Sequence, residues 1–331
     1  MRRTLRACAL AGVVTALASA CSGADRPSAQ PAPAAAPGSG TATTSAPVYA
    51  TACPPWPDMP TGRIAYAQTR RGGTDALYLM KPDGTDRRCL IDTTGPDSHP
   101  AWSPDGKWIA FIGGTAEQDD VYVVRADGTR LRQLTRTAEF DEGPVWSPDG
   151  TRIGYTAFPT RDGPTSIHLM NRDGSHDAVI LRTGGEILWV QLKDWSPDGK
   201  TLLYNADAGN GGLWAMRPDG TGRRLLRSGP GDFGTEAVYS PDGRSIAFGA
   251  ELNGGCIYRS DPQARRLVRL TKNCVPAYVL TWSPDGRWIA WAGGAHGPAD
   301  AEVMASDGSQ RHTIADGGDV AFVAWQPTTT G

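Results

Sequence analysis

Seven side chains able to recognise or transform a ligand fall at related points of this sequence: Asp97, His99, Asp141, Glu142, Gln191, Glu236 and Tyr278. Each lies three to five residues before an aromatic at 102, 146, 195, 239 or 282. Four carboxylates, an amide, one imidazole and one phenol suit a cation, a basic peptide segment or a hydroxyl-rich ligand better than a phosphate. His99 would make affinity pH-dependent near the imidazole reference value of about 6.5. A wet channel mouth tolerates polar residues of any kind, so their clustering is also compatible with no role at all.

Other chemistry is poorly supplied. Only His99 of the five histidines (His99, His168, His176, His296 and His312) belongs to this group, so a multi-histidine metal site is excluded. Glu142, Gln191 and Glu236 leave room for Ca2+ in a central channel, although no cofactor is required. No Gly-x-Ser-x-Gly elbow is present and no hydrolase domain is expected after the repeats. Asp105, Asp149, Asp198, Asp242 and Asp285 form a carboxylate series only on paper, because each occupies the same turn of a repeat and is explained by turn geometry. The same holds for Asp83, Asp127, Asp173, Asp219 and Asp307.

The elements that must position these residues come from internal repetition. The segments "WSPDGKWIAF" at 102, "WSPDGTRIGY" at 146, "WSPDGKTLLY" at 195, "YSPDGRSIAF" at 239 and "WSPDGRWIAW" at 282 recur, and "WQP" at 325 is a truncated copy. Their spacings of 44, 49, 44, 43 and 43 residues match a four-stranded propeller blade. Ser-Pro-Asp-Gly makes a tight turn, Pro presetting φ and Gly accepting a positive φ. The strands after it are nearly continuous apolar runs, as expected of sheets covered on both faces. Trp102, Trp146, Trp195, Tyr239, Trp282 and Trp325 are therefore read as wedges between blades. "TGRIAYAQ" at 61–68 lacks a preceding Trp strand and "VAFVAWQP" at 320–327 lacks a following one, so the last strand is expected to complete the first blade.

These repeats, with "Y-M-DG" and "L-T" segments behind each, resemble the WD40-like propeller repeat (PD40) of the TolB family over about 62–327. The resemblance implies an all-β, six-bladed propeller over 56–327 and a noncatalytic role in binding partners within cell-envelope assemblies. A propeller hydrolase or lyase acting on envelope carbohydrate or a lactone is the alternative. Blade 5 departs from the pattern with "RSDPQAR" at 259–265, and blade 3 runs long through "GGEILWVQLKDW" at 184–195. The additional N-terminal α/β domain of full TolB is not expected here, because residues 22–55 are too few and too polar.

The N-terminus reads as an export signal over residues 1–20, with Arg2, Arg3 and Arg6 ahead of an apolar stretch too short to span a bilayer. "LASAC" at 17–21 resembles a lipobox, which implies lipidation of Cys21; an ordinary cleaved signal is the other reading. Residues 21–55, rich in Ala, Pro, Ser and Gly, cannot build a core and are expected to tether the domain over roughly 30 Å; 328–331 form a tail. Removing residues 1–20 takes the net charge from −2 to −5, which with export argues against nucleic acid. The expected partner is an envelope protein, peptide or glycan, with the membrane touched only through the lipid, and the protein is expected as a monomer at the outer face of the cytoplasmic membrane or in the periplasm. Four cysteines remain for the folded part, and local disulfides Cys256 with Cys274 and Cys53 with Cys89 are favoured over metal binding.

Overall fold

The structure, a computed structural model, describes residues 62–328 apart from 70–74, 94, 116–117, 160–163, 185–186, 188, 208–210, 229–233, 251–254, 273, 275–276, 294–299 and 316–319. Cys21 and Cys53, and the expected signal and tether, lie outside these residues. Six antiparallel sheets of four strands each make up the described residues, with strands in sequence order within five of them. The inner strands of blades 2 to 6 are Ser98–Trp102, Phe140–Trp146, Trp189–Trp195, Gly234–Tyr239 and Ala277–Trp282. Blade 1 is the exception. Its inner strand is Val320–Trp325, paired antiparallel with Ile64–Thr69, so the C-terminal strand closes the ring as the unmatched ends require.

Six buried hydrophobic clusters stabilise the ring, each shared by two neighbouring blades. Leu77 and Leu79 of blade 1 pack with Ile109 and Phe111 of blade 2, and Ile64 of blade 1 packs with Ala290 and Val303 of blade 6. Burial on both sheet faces explains why the strands read as unbroken apolar runs. The repeated aromatics are wedges in these layers, and several also tie blades together by polar bonds. Trp102 Nε1 donates to the carbonyl of Ala324, Trp146 Nε1 to Ala101 and Trp282 Nε1 to Val238, at 3.1, 3.1 and 3.3 Å. Tyr239 has no indole N–H; there the Asp194 carboxylate of the preceding blade accepts the Tyr239 backbone N–H at 2.6 Å.

The repeated turns account for the aspartates. Asp105, Asp149, Asp198, Asp242 and Asp285 each accept the hydroxyl of the serine two residues earlier, at 2.5–2.7 Å. That serine in turn accepts the backbone N–H five residues on, sealing the turn. Gly84, at φ 80°, shows why glycine recurs in the second turn: a Cβ there would stand 1.9 Å from the carbonyl oxygen of Ile314 in blade 6. In blade 5 Ala264 takes this left-handed conformation instead, at φ 56°, so the irregular "DPQAR" segment still forms a turn. Cys256 and Cys274 are joined, with Cα atoms 4.4 Å apart. Cys89 is also disulfide-bonded, while its expected partner Cys53 is not among the described residues.

Candidate functional site

All six inner strands carry a register irregularity within the five residues before their terminal aromatic. A bulge leaves one residue out of the ladder and re-aims its side chain, and here the re-aimed residues surround the central channel. The cavity of about 450 Å3 is lined by His99, Gln191, Lys193, Glu236 and Phe322 among others, with prolines of the Ser-Pro turns at its far end. His99 and Phe322 occupy left-handed backbone conformations at φ 50° and 54°. Such conformations cost bulky side chains energy and gather at functional sites. Their rings pack across the junction of blades 1 and 2 with centroids 3.7 Å apart.

A histidine–carboxylate contact and a lysine–carboxylate ion pair meet in this opening. His99 Nε2 stands 3.5 Å from Glu142 Oε1, while Ser98 Oγ is 3.0 Å from the other ring nitrogen. Lys193 Nζ donates to Glu236 Oε1 at 2.9 Å, and its side chain is only 3% exposed. Burial pushes the Glu142 carboxyl up, but His99, Lys193 and a hydrogen bond from Gln191 outweigh this and hold it below the usual range. For Glu236 burial prevails over the Lys193 ammonium and the carboxyl is shifted up. The arrangement offers two carboxylates, an imidazole and an ammonium beside an aromatic face, which can exchange partners with a polar ligand. It fits calcium poorly: the two carboxylates already face cationic or donor side chains, and among the described residues no group of three or more His, Cys, Asp or Glu is placed to hold a metal.

The sequence-derived set divides here. His99, Gln191 and Glu236 line the channel, and Glu142 joins them through His99. Asp97 and Asp141 are not among the residues lining it; they precede the bulge and bind at the seams between blades. Asp97 accepts the backbone N–H and hydroxyl of Thr93 at 2.9 and 2.6 Å, joining blade 2 to the end of blade 1. Asp141 pairs in register with Ala157, whose face packs on blade 2, and accepts the hydroxyl of Thr135 at 2.5 Å. Burial pushes Asp97 up to about 7 and Asp141 up to about 8. Tyr278 belongs to an inner strand, but its side chain is not among those described. Lys193 was not foreseen. It follows Gln191 by two positions in the long "GGEILWVQLKDW" segment, and the only available signal was the one lysine in the inner strand Trp189–Trp195.

A second constellation escaped the sequence reading. Ser166 Oγ lies 3.0 Å from His168 Nε2, and His168 Nδ1 lies 3.1 Å from Asp177 Oδ1, the order of a nucleophile, base and orienting acid. Tyr155 donates to the other Asp177 oxygen at 2.6 Å. Ser166 is 1% exposed and shares its sheet face with Ala157 against blade 2, so the relay fastens blade 3 and offers no accessible nucleophile.

Residues 43–232, more than half of the chain, match the TolB beta propeller domain family, PD40. The chain belongs to this family. The uncharacterized protein YidR of Escherichia coli K12 is 26% identical over 108 residues, which is 32% of this chain and 25% of YidR, so the chain spans only a quarter of that relative by sequence. TolB from Acinetobacter baumannii is similar in fold, with a TM-score of 0.71 and 22% identity over 81% of this chain and 67% of that one. An oligogalacturonate lyase in complex with manganese shares the propeller at a TM-score of 0.54 and 17% identity, over 74% of this chain and 72% of the lyase. At such identities the likeness is one of fold, and fold does not carry function with it.

Proposed function

We propose that this TolB-like propeller is an exported, lipid-anchored scaffold that binds an envelope protein, peptide or glycan at the mouth of its central channel without transforming it. The carrying observation is the convergence of His99–Glu142 and Lys193–Glu236 on an opening walled by Phe322 and apolar strand residues. A concave, mostly apolar site with a few oriented polar groups is the usual form of a recognition pocket. A basic or hydroxyl-bearing segment would compete for Glu142 and Glu236, while apolar groups on it would cover Phe322. The Lys193–Glu236 pair favours this reading over a metal-dependent lyase, since a cationic amine occupies the carboxylate that a metal would need.

The test must respect that pair. Neutralising Glu236 alone would remove the carboxylate that accepts from the buried Lys193 ammonium, a loss of about 3–5 kcal/mol in comparable cases. The informative variant is Lys193→Met with Glu236→Gln, alongside Glu142→Gln. A partner is first captured from an envelope extract with the immobilised full chain. Both variants should then bind it at least roughly tenfold more weakly while melting near the wild-type temperature. Undiminished binding in both would place the site outside the channel and defeat the proposal.

A further inference from the structure

Blades 2 and 3 present a second recess, separate from the channel, built on Trp108. Trp108 follows the first Ser-Pro-Asp-Gly turn of blade 2 and is half-buried. Three guanidiniums surround its indole: Arg125 and Arg132 of blade 2 and Arg172 of blade 3, with Cζ atoms 5.9, 5.6 and 6.0 Å from the ring centroid. Arg130 joins Arg132, Arg172, Asp173 and Trp108 in lining a concavity of about 500 Å3.

The charges in this recess do not balance. Arg125 has Asp127 at 3.8 Å, whereas Arg130, Arg132 and Arg172 make no ion pair and no side-chain hydrogen bond among the described residues. Asp173, the acid nearest at hand, is engaged by its own turn, accepting the backbone N–H and hydroxyl of Ser175 at 3.0 and 2.6 Å. Asp105 likewise serves Ser103 and the backbone of Lys107. Arg132 and Arg172 at the indole and Arg130 beside them thus have no contact ion pair, although the Asp173 and Asp105 carboxylates act on Arg132 and Arg172 from a longer range, so cations outnumber carboxylates in the recess of a protein of net negative charge. Like charges so gathered repel unless an anion bridges them. Arginine's planar fork matches an oxyanion that can accept two hydrogen bonds at once.

We propose that this recess is a binding site for a phosphate group, with Arg130, Arg132 and Arg172 contacting the oxygens and Trp108 walling the organic part that bears them. Three cations exceed what one carboxylate neutralises and suit a phosphate better. The phosphate could arrive on a soluble phosphoester or on the headgroup of an anionic lipid, and both present the same oxygens. The site is independent of the channel reading.

The experiment uses the full chain and its Arg132→Ala/Arg172→Ala variant, whose altered side chains are exposed and leave the core untouched. Thermal unfolding is followed during titration with inorganic phosphate, with sodium chloride and acetate at matched ionic strength as controls. Flotation with vesicles of phosphatidylcholine, alone or mixed with phosphatidylglycerol, forms the second arm. A saturable phosphate-induced rise in Tm, weakened at least about tenfold in the variant, supports the site and a soluble ligand. Phosphatidylglycerol-dependent flotation lost in the variant supports the site and a lipid headgroup. An Arg132→Lys/Arg172→Lys variant separates geometry from charge: binding as tight as wild type would show long-range attraction only and overturn the proposal. Responses in both arms that are equal in chloride, or unchanged by loss of the arginines, would overturn it as well.

Discussion

Gln326 and Arg63, 263 residues apart, hold each other at the seam where the ring closes: the Arg63 backbone N–H donates to Gln326 Oε1 at 3.0 Å, and the Gln326 N–H donates to the Arg63 carbonyl at 2.8 Å. In the five intact repeats a serine hydroxyl accepts the equivalent N–H within one turn. No turn joins the two strands in blade 1, and the longer glutamine spans the break. Its Nε2 also donates to the carbonyl of Gly106 in blade 2 at 3.0 Å.

Closure should therefore be sensitive to this one side chain. Gln326→Ala removes the acceptor of the buried Arg63 N–H and the donor to the Gly106 carbonyl, and a loss of about 2–3 kcal/mol is expected. Urea unfolding measures it. A midpoint equal to wild type would mean that water or rearrangement replaces the glutamine.

Buried carboxyls make stability fall toward alkaline pH. Burial raises Asp97 to about 7, Asp141 to about 8 and Asp194 to about 7. A carboxyl whose folded pKa exceeds its unfolded value of about 3.9 stabilises fully below that value, and the contribution is lost as pH rises through the folded pKa. The window is thus about pH 4 to 8. Asp141→Asn keeps an acceptor for Thr135 and cannot ionise, so its unfolding free energy at pH 8 should exceed wild type by about 5 kcal/mol, about 1.4 for each of the roughly four pH units between the unfolded and folded values, with little difference near pH 4. Parallel stability curves for the two proteins across this range would refute the assignment.

The Cys256–Cys274 disulfide closes a loop with a sequence separation of 18 between outer strands of blade 5. The chain-entropy relation gives about 3 kcal/mol for a loop of this order. Cys256→Ser/Cys274→Ser should lower the melting temperature by several degrees, whereas a reductant should have no further effect on that pair.

Lipidation at Cys21 rests on the signal pattern alone. Cys21→Ser should move the protein from the membrane fraction to the soluble one without changing its melting temperature. Membrane association unaltered by this change would rule the anchor out.

Much of the architecture was legible in the sequence because a repeat states its own geometry. Trp102, Trp146, Trp195, Tyr239, Trp282 and Trp325 recur at blade spacing, and each turn's Ser, Asp and Gly is tied to local backbone, so period and residue type sufficed. The unmatched ends 61–68 and 320–327 also foretold closure, since an open propeller would expose two sheet edges. The site was only partly legible. A bulge shifts side chains from one sheet face to the other by a single residue, and nothing in the hydrophobic pattern marks where it falls. That shift sends Asp97 and Asp141 into blade seams, brings Lys193 into the channel against Glu236, and stacks His99 on Phe322. Trp108 and Arg172 likewise meet only because neighbouring blades stack, a proximity set by the twist and packing of whole sheets.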